Sequence, residues 1–63
     1  MPVIFLKSGG TVTCTAYTLK EGMIRAVDVK FKDVPGVPEE KSALSNADVS
    51  PANILYIIPG KLQ

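Results

Sequence analysis

The chain has 63 residues, of which seven are basic and six acidic, with one cysteine and no histidine. This length predicts a single domain with a small core, because a chain of this size buries only roughly 60% of the surface that its unfolded form exposes. One cysteine excludes an internal disulfide, and without histidine a structural zinc site has almost no ligands. Stability is therefore expected to depend on packing and self-association.

The net charge of +1 is close to balance. Proteins that bind nucleic acid or anionic membranes normally carry a basic surplus, so the composition predicts neither partner strongly. The first apolar run, Val3–Leu6, is far too short to span a membrane, and no basic residue precedes it as in a signal peptide. Together with the single reduced thiol, these features predict a cytoplasmic protein with no membrane partner.

The first third of the chain predicts two strands joined by a hairpin turn. Val3–Leu6 is followed closely by a Ser-Gly-Gly sequence, which favours a hairpin turn over a phosphate-binding loop because no helix pattern follows it. The run 11–19 is rich in threonine and alternates with period two. This alternation places Val12, Cys14 and Ala16 on one face, which we expect to be the inner face.

A long strand is predicted over 23–32, after a short turn that ends in glycine. In its second half the odd-numbered residues Val27, Val29 and Phe31 are apolar and expected inward. In its first half even-numbered positions such as Ala26 are apolar instead. A change of phase inside one strand is typical of a β-bulge or a sharp bend, and small barrels need such a bend in order to close.

The region 33–49 has the weakest pattern. Its prolines and glycine indicate a turn-rich, irregular loop, and 38–44 could form a short helical turn with proline first and acidic residues early. A further strand would have to lie within 43–49, and the pattern leaves strand and loop equally open. We expect one domain over 1–63 that contains this loop.

The closing segment carries the clearest pattern. Ser50 can accept hydrogen bonds from the backbone amides that follow it, and Pro51 presets φ, so a 3₁₀ turn is expected before the last strand. Five apolar residues, Ile54–Ile58, then run to a Pro-Gly pair. Four or five strands with tight links predict an all-β fold, a small and strongly bent antiparallel barrel.

Residue patterns for catalysis are mostly missing. Without histidine the usual general base at neutral pH is lacking. Cys14 alternates with threonines and has no neighbouring base, so a buried core position is favoured over a nucleophile. The adjacent acids Glu39 and Glu40 are interpreted as solvated loop residues rather than as an acid/base pair. We therefore expect no enzyme activity, no catalytic or metal-binding residue and no cofactor.

The last strand is the first candidate for a binding surface. On a regular strand Ile54, Tyr56 and Ile58 face one way and the two residues between them face the other. A barrel of this size has one inside, so one of the two apolar sets must lie outside, covered by the 33–49 loop or by another subunit. This surplus predicts a homo-oligomer, or contact with another protein partner, with Ile54, Tyr56 and Ile58 as candidate self-association residues.

The second candidate is a basic surface for nucleic acid. A modest patch would form if the lysines in the turns met the basic face of the long strand, and Tyr17 and Tyr56 could stack on bases. A solvated strand face and tyrosines at the barrel rim are the simpler interpretations. The candidate nucleic-acid contacts are Lys7, Lys20, Arg25, Lys30 and Lys32.

Residues 4–12 (IFLKSGGTV) resemble the opening of the Sm-like barrel family, in which an apolar strand ends in a Lys-x-Gly turn. The segments 22–24 and 53–57 fall where that family has its third and last strands. The resemblance implies an Sm-like β-barrel and RNA binding. The family's RNA pocket does not carry over, because Ile24 stands where an asparagine would follow methionine and Pro51-Ala52 replaces an Arg-Gly pair.

The segment Pro51-Ala52-Asn53 is similar to the Pro-x-Asn 3₁₀ turn that precedes the last strand of SH3 domains. The peptide groove of that family needs a tryptophan and a cluster of tyrosines, which this chain lacks. Both resemblances imply a small barrel, and neither transfers its best-known activity. The sequence thus favours a non-enzymatic, self-associating interaction or structural module, with an Sm-like RNA-binding protein as the alternative.

Overall fold

The computed structural model describes residues 1–38, 40 and 42–60, which form one strongly curled antiparallel sheet. Its strands are β1 (Val3–Leu6), β2 (Thr11–Thr13), β3 (Ala16–Lys20), β4 (Met23–Lys32), β5 (Ala43–Val49) and β6 (Ile54–Ile58), and a 3₁₀ turn over Pro51–Asn53 precedes β6. Across the sheet the order is β5, β4, β2, β1 and β6. β3 also pairs with β4, on the same side of it as β2 and further along its length. The result is a half-barrel, and the predicted all-β class with a 3₁₀ turn before the last strand is confirmed.

A two-residue turn sets the register of the long hairpin. Lys20 pairs with Met23, and the turn residues Glu21 and Gly22 have φ values of 52° and 81°. Two positive φ values define a type I′ turn, whose twist matches that of the flanking strands. Since β3 and β2 both pair with β4 in one continuous register, this turn aligns the whole length of β4.

The turn between β1 and β2 brings Gly10 against the end of β4. Gly10 has a φ of 83°, and a Cβ atom there would lie 2.5 Å from the carbonyl oxygen of Asp33. That distance is closer than any side chain tolerates, so only glycine allows β2 to lie against β4 at this point. The predicted hairpin turn is present, with the Gly9 amide donating to the carbonyl oxygen of Leu6 at 3.1 Å.

β4 bends at Asp28, which has a φ of 53° in the left-handed region. Ala26 and Val29 are both buried, and the two residues between them are both exposed, so the inward side changes parity there. The predicted change of phase in β4 is therefore confirmed. Val27, however, is 41% exposed rather than inward, because the change occurs one residue later than the sequence pattern suggested.

The inward side also changes parity between β2 and β3, at the same level. Two exposed residues separate buried Cys14 from Tyr17, which packs against the core. Opposite the bend, residues 43–46 of β5 are all exposed. The amide and the hydroxyl of Thr15 both donate to the carbonyl oxygen of Val27, at 3.0 and 3.2 Å. The expectation that Ala16 shares the inner face with Cys14 is wrong, because the bend turns Ala16 outward.

The concave side of the half-barrel holds an apolar core. Its buried members are Ile4, Leu6, Val12, Cys14, Ala26, Val29 and Val49. Among the described residues no polar or charged side chain is buried, so the core is stabilised by apolar burial alone. Seven buried residues in the described part of the chain make a small core, as the chain length predicted.

The 3₁₀ turn ties the start of β6 to the turn between β1 and β2. As predicted, Ser50 caps it, with its Oγ accepting from the amide of Ala52 at 3.3 Å. The side chain of Asn53 accepts from the Ser8 amide and donates to the Ser8 hydroxyl, both at 3.0 Å. The carbonyl oxygen of Asn53 accepts from the Lys7 amide at 2.6 Å. These contacts fix the position at which β6 begins beside β1.

The region 33–49 contains a strand as well as a loop. Ala43–Val49 is β5, so of the two alternatives left open for this segment the strand is the one observed. The predicted helical turn at 38–44 lies partly outside the described residues, which omit 39 and 41. Its C-terminal end is already extended, because β5 begins at Ala43.

Candidate self-association strand and outer face

β6 is an edge strand of the half-barrel. Among the described residues it pairs with β1 alone, and the other edge strands are β5 and β3, each of which pairs with β4 alone. An edge strand presents backbone N–H and C=O groups that no neighbour satisfies. Each of these edge strands can therefore accept a further strand, and its side chains decide whether it does.

A bulge in β6 determines which of its side chains face outward. Leu6 pairs with Ile54, and the preceding β1 residue pairs with Tyr56, so Leu55 has no partner on β1. Ile54 therefore lies on the inner side with Leu6 and packs against the core. The expected alternation, which put Ile54 on the same side as Tyr56 and Ile58, is not observed because the bulge interrupts it.

Three apolar side chains of β6 remain exposed. The exposed fraction is 58% for Leu55, 57% for Tyr56 and 44% for Ile58. Tyr56 packs against Phe5 on β1, with ring centroids 4.9 Å apart and planes inclined by 37°. Tilted aromatic pairs at this distance contribute more favourable energy than the burial of their surface alone provides. Sequence reasoning missed Phe5, because its contact depends on the register of β1 against β6.

The outer face of four neighbouring strands carries two ordered rows of side chains. Directly opposite residues of paired strands share a face, so the strand register places them. One row contains Tyr56, Phe5, Thr11 and Lys32, and the other contains Ile58, Val3, Thr13 and Lys30. We call these eight residues the outer-face rows. They are apolar on β6 and β1, hydroxylic on β2 and basic on β4.

The structure separates the five predicted basic residues into two groups. Lys30 and Lys32 belong to the outer-face rows, and Lys7 is exposed directly after β1. Lys20 and Arg25 lie near the hairpin turn at the other end of β4. The single patch that would have needed all five residues is therefore divided between two ends of the sheet.

Arg25 is engaged by a carboxylate from the next strand. Its Nε and Nη2 donate to Oδ1 and Oδ2 of Asp48 at 2.8 and 3.0 Å, across a directly opposite pair of β4 and β5. The hydrogen bond from Arg25 lowers the pKa of Asp48, and the nearby charge of Lys20 lowers it further. The same hydrogen bond raises the pKa of Arg25. With its charge already compensated, Arg25 is a poor ligand for phosphate.

The remaining residues considered for chemistry lie apart from one another. Cys14 is fully buried, and burial raises the pKa of its thiol. Tyr17 is half-buried against the core. Glu40 is exposed, and its neighbour Glu39 lies outside the described residues. Within the described part of the chain, no group of three or more His, Cys, Asp or Glu side chains could hold a metal ion.

No protein-family model matches this chain, and comparisons with curated proteins and with solved structures also find no match. The curled half-barrel is compatible with an SH3-like or Sm-like barrel. That resemblance rests on the shape of the sheet and on the sequence segments described above. In the described part of the chain, no helix has the length and apolar character needed to cross a membrane.

Proposed function

We propose that this protein is a non-enzymatic β-barrel module that assembles with other copies of itself through β6. One observation carries the proposal: an edge strand of five residues has three exposed apolar side chains and no charged residue. Edge strands of soluble proteins are usually protected by charge or proline, because an unprotected apolar edge pairs with other chains. A long-lived protein with this edge needs a partner that covers it.

The small core supports the same proposal. Seven buried residues in a chain of this length give little apolar burial per residue. Covering Leu55, Tyr56 and Ile58 in an assembly would add apolar burial that the isolated chain lacks. Stability and assembly are therefore coupled in this proposal, and dilution should lower both.

Light scattering over a range of concentrations tests the proposal. The monomer mass is 6.7 kDa, and we expect a multiple of it at high concentration. Tyr56→Lys should reduce the mass to that of the monomer while circular dichroism stays unchanged, because the side chain is already 57% exposed. Leu19→Lys is the matched control, since Leu19 is an exposed apolar residue on β3, away from β6. A wild-type monomer at high concentration would overturn the proposal.

Binding of single-stranded nucleic acid is a second candidate, and the outer-face rows favour it. They place two lysines on the same face as the Phe5–Tyr56 pair and contain no carboxylate. Bases stack on aromatic rings with about 1–3 kcal/mol per base, and lysines contact the phosphates. Threonine hydroxyls between them, from Thr11 and Thr13, add further hydrogen-bonding groups.

A salt titration with single-stranded RNA and DNA oligonucleotides tests this second candidate. Affinity should fall steeply with salt, and Lys32→Glu should weaken it. Lys20→Glu makes the same change of charge at the hairpin turn and should weaken binding much less. No binding by the wild type at low ionic strength would exclude this function for the outer face.

A further inference from the structure

The backbone direction of β1 can be read from its contacts with β2. The amide of Leu6 donates to the carbonyl oxygen of Gly10 at 3.2 Å, and the amide of Cys14 donates to the carbonyl oxygen of Pro2 at 3.1 Å. Backbone groups alternate between the two sides of a strand. The even-numbered residues of β1 therefore point to β2, and Phe5 points to β6.

It follows which backbone groups of β6 are unpaired. Val3 and Phe5 form the hydrogen-bonded pairs with Ile58 and Tyr56, because these residues lie directly opposite each other. Ile57 lies between Tyr56 and Ile58 and therefore directs its N–H and C=O away from β1. Within the described residues no strand pairs with that side of β6. The free edge thus offers one donor and one acceptor at Ile57.

An antiparallel second copy of β6 matches this edge in one register. When Ile57 lies opposite Ile57 of the second copy, Tyr56 lies opposite Ile58 of the second copy, and the reverse pair follows by symmetry. Tyr56 and Ile58 are both on the outer face, and Ile57 is on the inner side in both copies. A shift of one residue would set an inner side chain opposite an outer one.

Charge favours a second β6 over β5 or β3 as the partner strand, since β3 ends in the exposed Lys20. β5 carries the carboxylate of Asp48, bonded to Arg25, and the exposed polar residues Ser45 and Asn46. Against β6 these groups would lose water without gaining a polar partner, since β6 has no charged residue and only one hydroxyl. A second β6 has no charge to desolvate, so the strand is complementary to itself.

We infer that the protein forms a two-fold symmetric dimer in which the two β6 strands pair edge to edge at Ile57. This inference rests on the proposed self-association and adds the partner strand, the symmetry and the register. One outer row then crosses both copies in the order Lys32, Thr11, Phe5, Tyr56, then Ile58, Val3, Thr13 and Lys30 of the second copy. The apolar residues meet at the centre, and the lysines lie at the two ends.

Disulfide cross-linking tests the register. Tyr56→Cys and Ile58→Cys are prepared as separate variants and are then mixed under mild oxidation. Residues directly opposite each other have Cβ atoms about 4.5–5.5 Å apart, close to disulfide geometry, whereas two copies of the same variant place their cysteines diagonally at about 7–8 Å. We expect mixed disulfide dimers after mixing and little cross-linking of either variant alone. Buried Cys14 is the internal control, since it should remain unlinked.

A backbone variant tests the same register without changing a side chain. Chemical synthesis of the 63-residue chain with an N-methyl group on Ile57 removes the edge donor and blocks close approach. Each dimer loses two hydrogen bonds by symmetry, so dimerisation should weaken at least about tenfold. Unchanged dimerisation would overturn the inference, even if the cysteine variants were monomeric.

The outcomes separate the inference from the proposed function. A wild-type dimer with mixed cross-links and a weakening by N-methylation supports both. An assembly larger than a dimer, or a dimer that N-methylation does not weaken, keeps the self-association and overturns the two-fold pairing. A monomer overturns both.

Discussion

Two edge strands of the half-barrel, β5 and β6, are built differently. β5 has an ion pair, with Asp48 held by Arg25 at 2.8 Å, and exposed polar residues beside the bend. β6 has five consecutive apolar residues and no charge. An added strand would desolvate charges at the first edge and bury apolar side chains at the second. The comparison teaches that the side chains of β5 disfavour pairing with a further strand, whereas those of β6 favour it.

This asymmetry bears on the size of the assembly. We call an edge strand receptive if it can pair with a strand of another copy. A sheet with two receptive edges can add copies head to tail, and such contacts give rings or open filaments. A sheet with one receptive edge can only pair with itself, which gives a closed dimer. The polar side chains of β5 and the charge of Lys20 on β3 would then limit assembly as much as the apolar side chains of β6 promote it.

Removing the ion pair at the β5 edge should have the largest effect. The double variant R25T/D48V puts an uncharged, β-branched pair across β4 and β5 in place of the ion pair. With both edges receptive, we expect assemblies that grow beyond a dimer with concentration. Light scattering and sedimentation velocity measure this growth. R25K/D48E keeps both charges and should behave as the wild type. If R25T/D48V forms only dimers, charge is not what prevents a further strand from pairing with β5.

Placing a lysine on each edge in turn should have the next largest effect. Ile58→Lys puts a charge in the proposed contact and should halve the mass of a dimer, because an ammonium group resists desolvation. Asn46→Lys puts the same charge on β5 and should leave the mass unchanged. Both positions are exposed, so the fold should persist in both variants. Equal loss of assembly in the two variants would contradict the difference between the edges.

Those features of the fold that depend on local sequence could be predicted. The 3₁₀ turn follows from the hydroxyl of Ser50 and the fixed φ of Pro51, which act within three residues. The bend of β4 follows from a change of parity between Ala26 and Val29 that is visible within one strand. Each signal needs no knowledge of the neighbouring strands.

Features that depend on the pairing of distant segments could not be predicted. The bulge at Leu55 exists because β6 must align with both ends of β1. The contact of Phe5 with Tyr56 and the hydrogen bonds between Ser8 and Asn53 join residues far apart in sequence. The apolar surplus of β6 was thus visible in the sequence, but which of its side chains face outward depends on the register.

Two adjacent alanine variants should separate folding from association. Ile54 packs against the core, so Ile54→Ala should lower the free energy of unfolding by about 2 kcal/mol. Leu55 is 58% exposed, so Leu55→Ala should change the free energy of unfolding of the monomer by less than about 0.5 kcal/mol while weakening self-association. Urea unfolding at low protein concentration measures the first quantity, and light scattering the second. A larger stability loss for Leu55→Ala would place that side chain in the core rather than at the interface.

The smallest expected effect is a pH dependence confined to the β5 edge. The hydrogen bond from Arg25 holds the pKa of Asp48 below its ordinary value of 3.8 in the folded chain. A carboxyl group with a lowered folded pKa stabilises the fold above its unfolded pKa, and this contribution is lost as the pH falls through the folded pKa. The urea midpoints of the wild type and Asp48→Asn should therefore differ slightly at neutral pH and converge in acid below the folded pKa. The difference should be small because the two side chains of the pair are 45% and 41% exposed to solvent, and salt should reduce it further. A gap between the two midpoints that persists at low pH would mean that Asp48 supports the edge by its shape and not by its charge.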